Sequence, residues 1–374
     1  MMAKIVYIAD VCKEIFAGGD VPKSALSYEK TAEYNVPIFS NGEKNCGLYG
    51  YTNNARVKEP SITVSARGTI GYTAIRTEPF VPVVRLITLT PKSEVIDLDY
   101  LFYATQNYKF EGSGTSIPQL TVPMLKKYKF PLPEMSHQKA IAVKFEKLDQ
   151  LISLRKQQLA KLNELVKARF VEMFGEPVSN PMGWEKKKLQ DVCYKLTDGT
   201  HFSPESYDKG DYKYITAKNI KSDGFDFSNI TYVPESVHRT IYERCNPELG
   251  DVLYIKDGAT TGIAMVNSLK EEFSLLSSVA LLKQNRKVID GRFLCRVLNN
   301  AEMYKSIRSN MGGAAITRLT IAKLQKIMVI VPPLPLQKQF AAFVKRVDQQ
   351  KQTVQQSLEK LELMKKALMQ EYFG

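Results

Sequence analysis

Laid against itself at an offset of 199 residues, the chain repeats. Gly114-Thr115-Ser116-Ile117-Pro118-Gln119-Leu120-Thr121 falls on Gly313-Ala314-Ala315-Ile316-Thr317-Arg318-Leu319-Thr320, and the register then holds without a gap to the last residue. Pro133 meets Pro332, Gln138-Lys139 meets Gln337-Lys338, Asp149-Gln150 meets Asp348-Gln349, and Phe174-Gly175 meets Phe373-Gly374. A looser match with drifting offsets opens each half: Ala9-Asp10-Val11-Cys12 with Gln190-Asp191-Val192-Cys193, then Ser65-Ala66-Arg67-Gly68-Thr69 with Ile255-Lys256-Asp257-Gly258-Ala259. A period this long is a tandem duplication of a domain plus a helix, not a solenoid of small repeats. The order it predicts is variable domain (1–135), preserved segment (136–178), variable domain (179–335), preserved segment (336–374).

In the first preserved segment the apolar residues are Ile141, Phe145, Leu148, Ile152, Leu159, Leu162, Val166 and Met173, a 4-3 spacing interrupted by Arg155 and Arg169. The second places Phe340, Val344, Val347, Val354, Leu358, Leu361, Leu368 and Tyr372 on the same frame, with Lys351 and Lys365 interrupting. A sustained 3.5-residue period makes a narrow seam that suits a partner helix. Two matched seams predict that the helices pair with each other; packing of each on its own domain is the alternative. A helix of about 38 residues from Ser136 or Leu336 would be ~57 Å long, the length of a spacer. Leu151, Leu154 and Leu165 in the first helix, and Phe343, Leu363 and Met364 in the second, lie off the seam and offer apolar surface to other chains. Pro131-Leu132-Pro133 and Pro332-Pro333-Leu334-Pro335 mark the junctions into the helices. Gly175, Pro177 and Asn180-Pro181-Met182-Gly183 end the first helix.

The variable domains read as α+β. Short β-branched and aromatic runs (Ser61–Val64, Val83–Ile87, Tyr214–Thr216, Val252–Ile255) alternate with Gly/Asn turns, and helices are expected over Tyr100–Gln106 and Phe293–Ser306.

A chain of 374 residues has room for two or three domains. With 44% apolar and 24% charged residues it is neither disordered nor collagen-like. The longest apolar run, Ile327–Val331, stops at Pro332, far short of a membrane span, and the N-terminus lacks a signal-peptide pattern, so a cytoplasmic location is expected. Five scattered cysteines without a Cys-x-x-Cys pair, and only three histidines, argue against a disulfide framework and against a structural metal site. No phosphate-binding loop, dinucleotide fingerprint, nucleophile elbow, zinc-protease or deaminase signature is present, so no catalytic residue is expected. The net charge of +13 suggests a polyanionic partner.

What remains are glycine-rich loops carrying donors. The first half has Gly18–Lys23, Ser40–Asn45 and Ala66–Tyr72, with Lys44, Asn45, Arg67, Thr69, Arg76 and Gln119 as candidate DNA contacts. The second has Thr197–Pro204, Thr216–Lys221 and Lys256–Gly262, with Thr200, His201, Lys218, Asn219, Lys256, Thr260 and Arg318. Arg and Lys donate to guanine or phosphate, Asn and Gln can be bidentate to adenine, and glycine admits close backbone approach. One such loop is more often an ordinary turn; their recurrence at comparable places in both halves argues for function. Arg67 and Lys256 are the strongest candidates, whereas His201 can equally be a polar turn residue.

Together with the duplication, Gly18-Gly19-Asp20-Val21-Pro22, Arg67-Gly68-Thr69-Ile70-Gly71, Thr197-Asp198-Gly199-Thr200-His201, Lys218-Asn219-Ile220, Gly258-Ala259-Thr260-Thr261-Gly262 and the two Ile-x-x-Leu-Thr…Pro-x-x-x-x-Gln segments resemble the specificity (S) subunit of type I restriction-modification systems over nearly the whole chain. The resemblance implies two target-recognition domains, each reading half of a split DNA site. It also implies two long antiparallel helices that set the spacing around a pseudo-twofold axis. Two methylation (M) subunits bearing S-adenosylmethionine, and restriction (R) subunits using ATP and magnesium, would be the partners, and this chain itself would need no cofactor. The first half lacks the Asp-Gly-Thr-His form of the second. Alternatives are a stand-alone DNA-binding regulator, or a nuclease or methyltransferase with a site not evident in the sequence.

Overall fold

A computed structural model of the chain describes residues 4–108, 119–309 and 319–374. Arg318, and most of the Gly114–Thr121 and Gly313–Thr320 matches, lie outside the described residues. The chain divides into two compact units, Met1–Gln157 with Val354–Gly374, and Gln158–Thr353. The division runs through the middle of both long helices rather than along the four segments expected from the repeat.

In the first unit a four-stranded sheet runs in the order Cys12–Ala17, Ile87–Pro91, Ser61–Val64, Thr73–Arg76, with neighbours antiparallel. Its two central strands are buried along their whole length, as a β-branched run covered on both faces should be. A three-stranded sheet runs Leu48–Thr52, Val36–Phe39, Val81–Pro82, the last pair parallel. Lys4–Tyr7 pairs with Lys129–Leu132. The second unit repeats this topology. Its four-stranded sheet runs Cys193–Asp198, Val279–Gln284, Val252–Ile255, Ala264–Val266; its three-stranded sheet runs Thr231–Val233, Tyr212–Ile215, Ser274–Leu275; and Lys186–Lys188 pairs with Met328–Ile330.

The preserved segments are built into these cores. The central helix spans Met135–Phe174 and the C-terminal helix Leu334–Phe373. Buried Gln138 receives the Asp97 amide on Oε1 at 2.8 Å and donates from Nε2 to the Val95 and Pro133 carbonyls. Buried Gln337 does the same with the Asp290 amide at 2.9 Å and the Val288 and Pro332 carbonyls. Each amide thus ties the start of a long helix to the acid that caps a domain helix, Asp97 for Leu98–Gln106 and Asp290 for Gly291–Leu298. The repeated Leu-Thr pair is a second such device, because Thr121 and Thr320 cap the short helices Val122–Lys126 and Ile321–Gln325.

Within the first unit, residues 135–157 pack antiparallel on residues 354–373. Lys144 Nζ lies 3.0 Å from the Tyr372 hydroxyl, Asp149 Oδ1 2.6 Å from Lys365 Nζ, and Lys156 Nζ 3.1 Å from Glu362 Oε1, while Arg155 Nε donates to Ser357 Oγ. The polar interruptions Arg155 and Lys365 are therefore cross-helix contacts. Phe145 is fully buried, its ring 4.9 Å from Tyr103 of the domain and 5.8 Å from Phe373 of the other helix. In the second unit Phe170 and Phe174 contact Phe340 and Phe293 in the same way. Helix pairing and domain packing, alternatives in the sequence, are both present. Of the seam residues Phe145, Leu148, Val344, Val347, Val354 and Leu358 are buried, and Ile152, Leu159, Leu162 and Leu361 half-buried.

Three expectations are corrected. Val83–Ile87 is not a strand: Val84 and Arg85 have φ of 52° and 68° and turn the chain between Val81–Pro82 and Ile87–Pro91. The helix expected over Phe293–Ser306 is two, Gly291–Leu298 and Ala301–Ser309. Asn299 leaves the helix to pair its amide with both backbone groups of Ala264, and Asn300 Oδ1 caps the second piece at Glu302 and Met303. Phe343, expected as off-seam surface, is half-buried against the core of the second unit.

Candidate nucleic-acid interface

In each unit the loops after equivalent strands are stitched together by hydrogen bonds. In the first, Val84 N donates to Gly19 O at 2.8 Å, Asn41 Nδ2 to Val84 O at 2.6 Å, and Ala66 N to Asn41 Oδ1 at 2.7 Å. In the second, Ser277 N donates to Thr200 O at 2.8 Å, Lys256 N to Ser278 O at 2.9 Å, and Ala217 N to Ser278 Oγ at 3.3 Å. Gly18 is the counterpart of Gly199 and Gly19 of Thr200, since Gly19 bridges Val83 where Thr200 bridges Leu276. The absence of Asp-Gly-Thr-His from the first half thus hides an equivalence of backbone. The glycine is needed for space: a Cβ on Gly18 would lie 2.5 Å from the Pro82 carbonyl oxygen, and one on Gly199 would overlap the Leu275 backbone.

The candidate side chains separate by exposure. Lys44, Asn45, Arg67, Thr69, His201, Lys218 and Thr260 are exposed. Arg67 Nη2 donates to Gln119 Oε1 at 2.8 Å, which makes one donor group of two candidates. His201 Nε2 is 3.2 Å from Asp198 Oδ1.

For Arg76, Thr200, Asn219 and Lys256 the expectation of an exposed donor does not hold, because each is buried and engaged within its own unit. Arg76 donates from Nη2 to the Cys46 carbonyl at 2.6 Å and from Nε to Thr63 Oγ1, with its guanidinium 3.6 Å from the Phe39 ring centroid. Burial lowers its pKa, the nearby Tyr72 and Cys46 opposing the shift. Arg76 pins the Lys44–Gly47 turn, in which Asn45 and Cys46 take left-handed backbone, and so presents Lys44 and Asn45. Asn219 accepts from Thr216 N and Oγ1 and donates to Asp226 O, which closes the turn that carries Lys218. Thr200 Oγ1 accepts from Phe202 N. Lys256 Nζ lies 2.8 Å from Asp257 and 3.3 Å from Asp198, whose carboxylate also meets Arg244 Nη1 at 3.4 Å. An ammonium buried between two carboxylates holds the Asp198–Gly199 turn to the Asp257–Gly262 loop; the first unit has Ala17 and Ala66 at these positions.

Sequence reasoning missed three basic residues on or beside these loops. Arg244 donates to the carbonyls of Asp198 and Gly199, and Arg56 lies 4.4 Å over the Phe16 ring beside Gly19. Arg85 is exposed on the turn hydrogen-bonded to Gly18 and Gly19. Arg244 ends the helix Glu235–Arg244, a position where a basic residue is common, but the strand-like run around Arg85 concealed its turn.

The family model of the type I restriction modification DNA specificity domain matches residues 3–164 and 181–363. A protein named as a type I specificity subunit of Mycoplasma pneumoniae is 36% identical over 172 residues, 43% of this chain and 47% of its own length. A second from that organism is 36% identical over 167 residues, 42% and 49% of the two lengths. The specificity subunit of the restriction enzyme MjaX of Methanocaldococcus jannaschii is 24% identical over 301 residues, 76% and 69%. The chain thus spans about half the length of the first two relatives. Among solved structures, the S subunit of a type I restriction-modification system from M. genitalium superposes with a TM-score of 0.64 at 18% identity, over 99% of this chain and 96% of that one, a likeness of fold. With one family model matching both halves, and both halves folded to one two-sheet topology, the chain belongs to the type I restriction-modification DNA specificity family.

Proposed function

We propose that the chain is the non-catalytic, sequence-reading subunit of a type I restriction-modification complex. Each unit reads one half of a bipartite, asymmetric site in double-stranded DNA, and the paired helices set the gap between halves. The observation that carries this reading is the set of exposed basic groups on and beside the corresponding loop clusters of both units. Lys44, Arg67 and Arg85 occupy the first, His201, Lys218 and Arg244 the second. Such donors suit phosphates and base edges, and the buried residues beneath them hold the loops in shape before any ligand arrives. Different side chains on one backbone plan favour different half-sites.

Exposed leucines on the long helices support docking of other subunits and favour this reading over a stand-alone regulator. Leu151, Leu154, Leu165, Leu363 and Met364 are 42%, 57%, 48%, 68% and 53% exposed. On this reading they receive two methylation subunits, which bring S-adenosylmethionine, and restriction subunits bring ATP and magnesium. The place of action is the cytoplasm of a prokaryotic host. Among the described residues no helix is long and apolar enough to cross a membrane. Mapping methylated adenines genome-wide in a host with and without this chain tests the reading. The expected motif has two unlike halves a fixed distance apart, near one or so turns of DNA; a single continuous palindrome would overturn it.

A further inference from the structure

The backbone of the first unit is most unusual at Val84 and Arg85. These consecutive residues have φ of 52° and 68°, a region that glycine and asparagine enter readily and a β-branched valine rarely does. The turn is held from several sides. Val84 N and Arg85 N donate to the carbonyls of Gly19 and Gly18 at 2.8 and 3.2 Å, Leu86 N to Val83 O at 3.0 Å, and Asn41 Nδ2 to Val84 O at 2.6 Å. A turn of this kind persists only where its surroundings over-determine it, and such strain concentrates where a side chain must be aimed.

What is aimed here is a guanidinium. Arg85 is exposed, and no hydrogen bond or ion pair to its guanidinium is found among the described residues. The counterpart turn of the second unit, Leu276-Ser277-Ser278, has ordinary backbone, and Ser278 Oγ is used internally as the acceptor for Ala217 N. Asn41 links the Arg85 turn by two hydrogen bonds to Ala66, next to Arg67, and the Arg56 guanidinium lies beside Gly19, to which the same turn is bonded. Asp20 and Glu43 are exposed acids on the same loops, so the face is basic without being uniformly so.

We propose that Arg85, presented by the strained Val84-Arg85 turn, reads a guanine edge in the half-site bound by the first unit. The inference rests on the DNA-reading function proposed above. A guanidinium is a planar fork that matches guanine O6 and N7, and a rigid turn reduces what must be ordered on binding. A contact to phosphate alone would need charge but not this aim.

The test uses the full chain and a pool of randomised DNA duplexes, selected over several rounds and sequenced, for the unaltered protein and for Arg85→Ala and Arg85→Asn. Asparagine tolerates left-handed backbone better than arginine, so Arg85→Asn should melt at the same temperature or higher, which separates a binding defect from a folding defect. The unaltered chain should enrich a two-part motif. Both variants should keep the half read by the second unit, and in the other half lose preference at one guanine, with affinity for the best duplex falling roughly tenfold to a hundredfold. An unchanged motif in both variants would refute the role of Arg85 while leaving the DNA-reading function standing. Equal weakening on all sequences would make Arg85 a phosphate anchor and refute base readout. No enriched motif for the unaltered chain would overturn both readings.

Discussion

Replacing Lys256 by Met removes the one ammonium between Asp198 and Asp257 while keeping most of the side-chain volume. Both ends of the Lys256–Asp198 pair are buried, with side-chain exposures of 2% and 6%, and Nζ and Oδ2 are 3.3 Å apart. At an effective dielectric of 20 their attraction is about 5 kcal/mol, much of it offset by desolvation. Removing the buried ammonium leaves Asp198 with only the exposed Arg244 guanidinium at 3.4 Å, a loss of about 3–5 kcal/mol. Lys256→Met should fall at the upper end, because two carboxylates then face each other; Asp198→Ala should cost about 2 kcal/mol less, because Lys256 keeps Asp257 at 2.8 Å. The double variant removes both ends of this pair, where the first unit has Ala17 and Ala66, and leaves Asp257 and Arg244 in place. It should cost no more than Lys256→Met, since Asp257 has lost its ammonium in both, a coupling of about 3 kcal/mol or more. The assay is urea unfolding followed by the fluorescence of Trp184, the only tryptophan of the chain, which lies in the second unit and donates to the Phe174 carbonyl at 3.0 Å. A chain of two units need not unfold in one step, so a probe confined to the second unit is required. Losses that add, to within about 0.5 kcal/mol, would refute the pairing argument.

Gln337→Ala should strip the partners from one buried amide and two carbonyls and lower the transition reported by Trp184 by about 3 kcal/mol or more. Gln138→Ala should leave that transition in place and destabilise the first unit instead, which hydrogen exchange at Asp97 would detect. Changing Leu151 and Leu154 together to Asp should abolish binding of one methylation subunit without loss of helicity, read as the mass of the complex by light scattering beside circular dichroism. A full complex would refute the docking surface, and an unfolded chain would assign both leucines to the seam.

The long helices were legible because a 3.5-residue period sustained through both preserved segments puts one apolar stripe on each helix, and such a stripe must be covered. The prolines before them fit neither a strand ladder nor a helix interior, so they could only be junctions. Gln138 and Gln337 were visible as a repeated pair, but not as staples, since their partners Asp97 and Asp290 come from distant turns that only folding brings near. The loops were legible as loops; the burial of their side chains was not. Lys218 and Asn219 are neighbours, yet one is exposed and the other closes the turn beneath it. Lys256 is buried between its neighbour Asp257 and Asp198, and the second carboxylate comes from a distant strand that only folding brings near. Val83–Ile87 read as a strand by composition, and the close approach of Gly18 to Pro82, which no local pattern encodes, turns it instead.

The duplicated junction shows which features the fold demands. A glycine stands at both Gly18 and Gly199, because no Cβ fits there, and in both halves a main-chain bond ties the loop to the next element: Leu120 N to Ala66 O at 3.0 Å, Leu319 N to Lys256 O at 2.9 Å. The side chains that close the junction differ. In the first unit Asn41 spans the loops and the cations Arg67 and Arg85 face solvent. In the second, the equivalent positions hold Asp257 and Ser278, both used internally, and the cation is buried as Lys256. The backbone restraints are therefore shared while the charge pattern at the surface is rearranged. A palindrome requires two like surfaces for its two like halves. Two units whose equivalent loop positions are Arg against Asp, and Arg against Ser, carry unlike surfaces, and on the DNA-reading function proposed above unlike half-sites are the expected outcome.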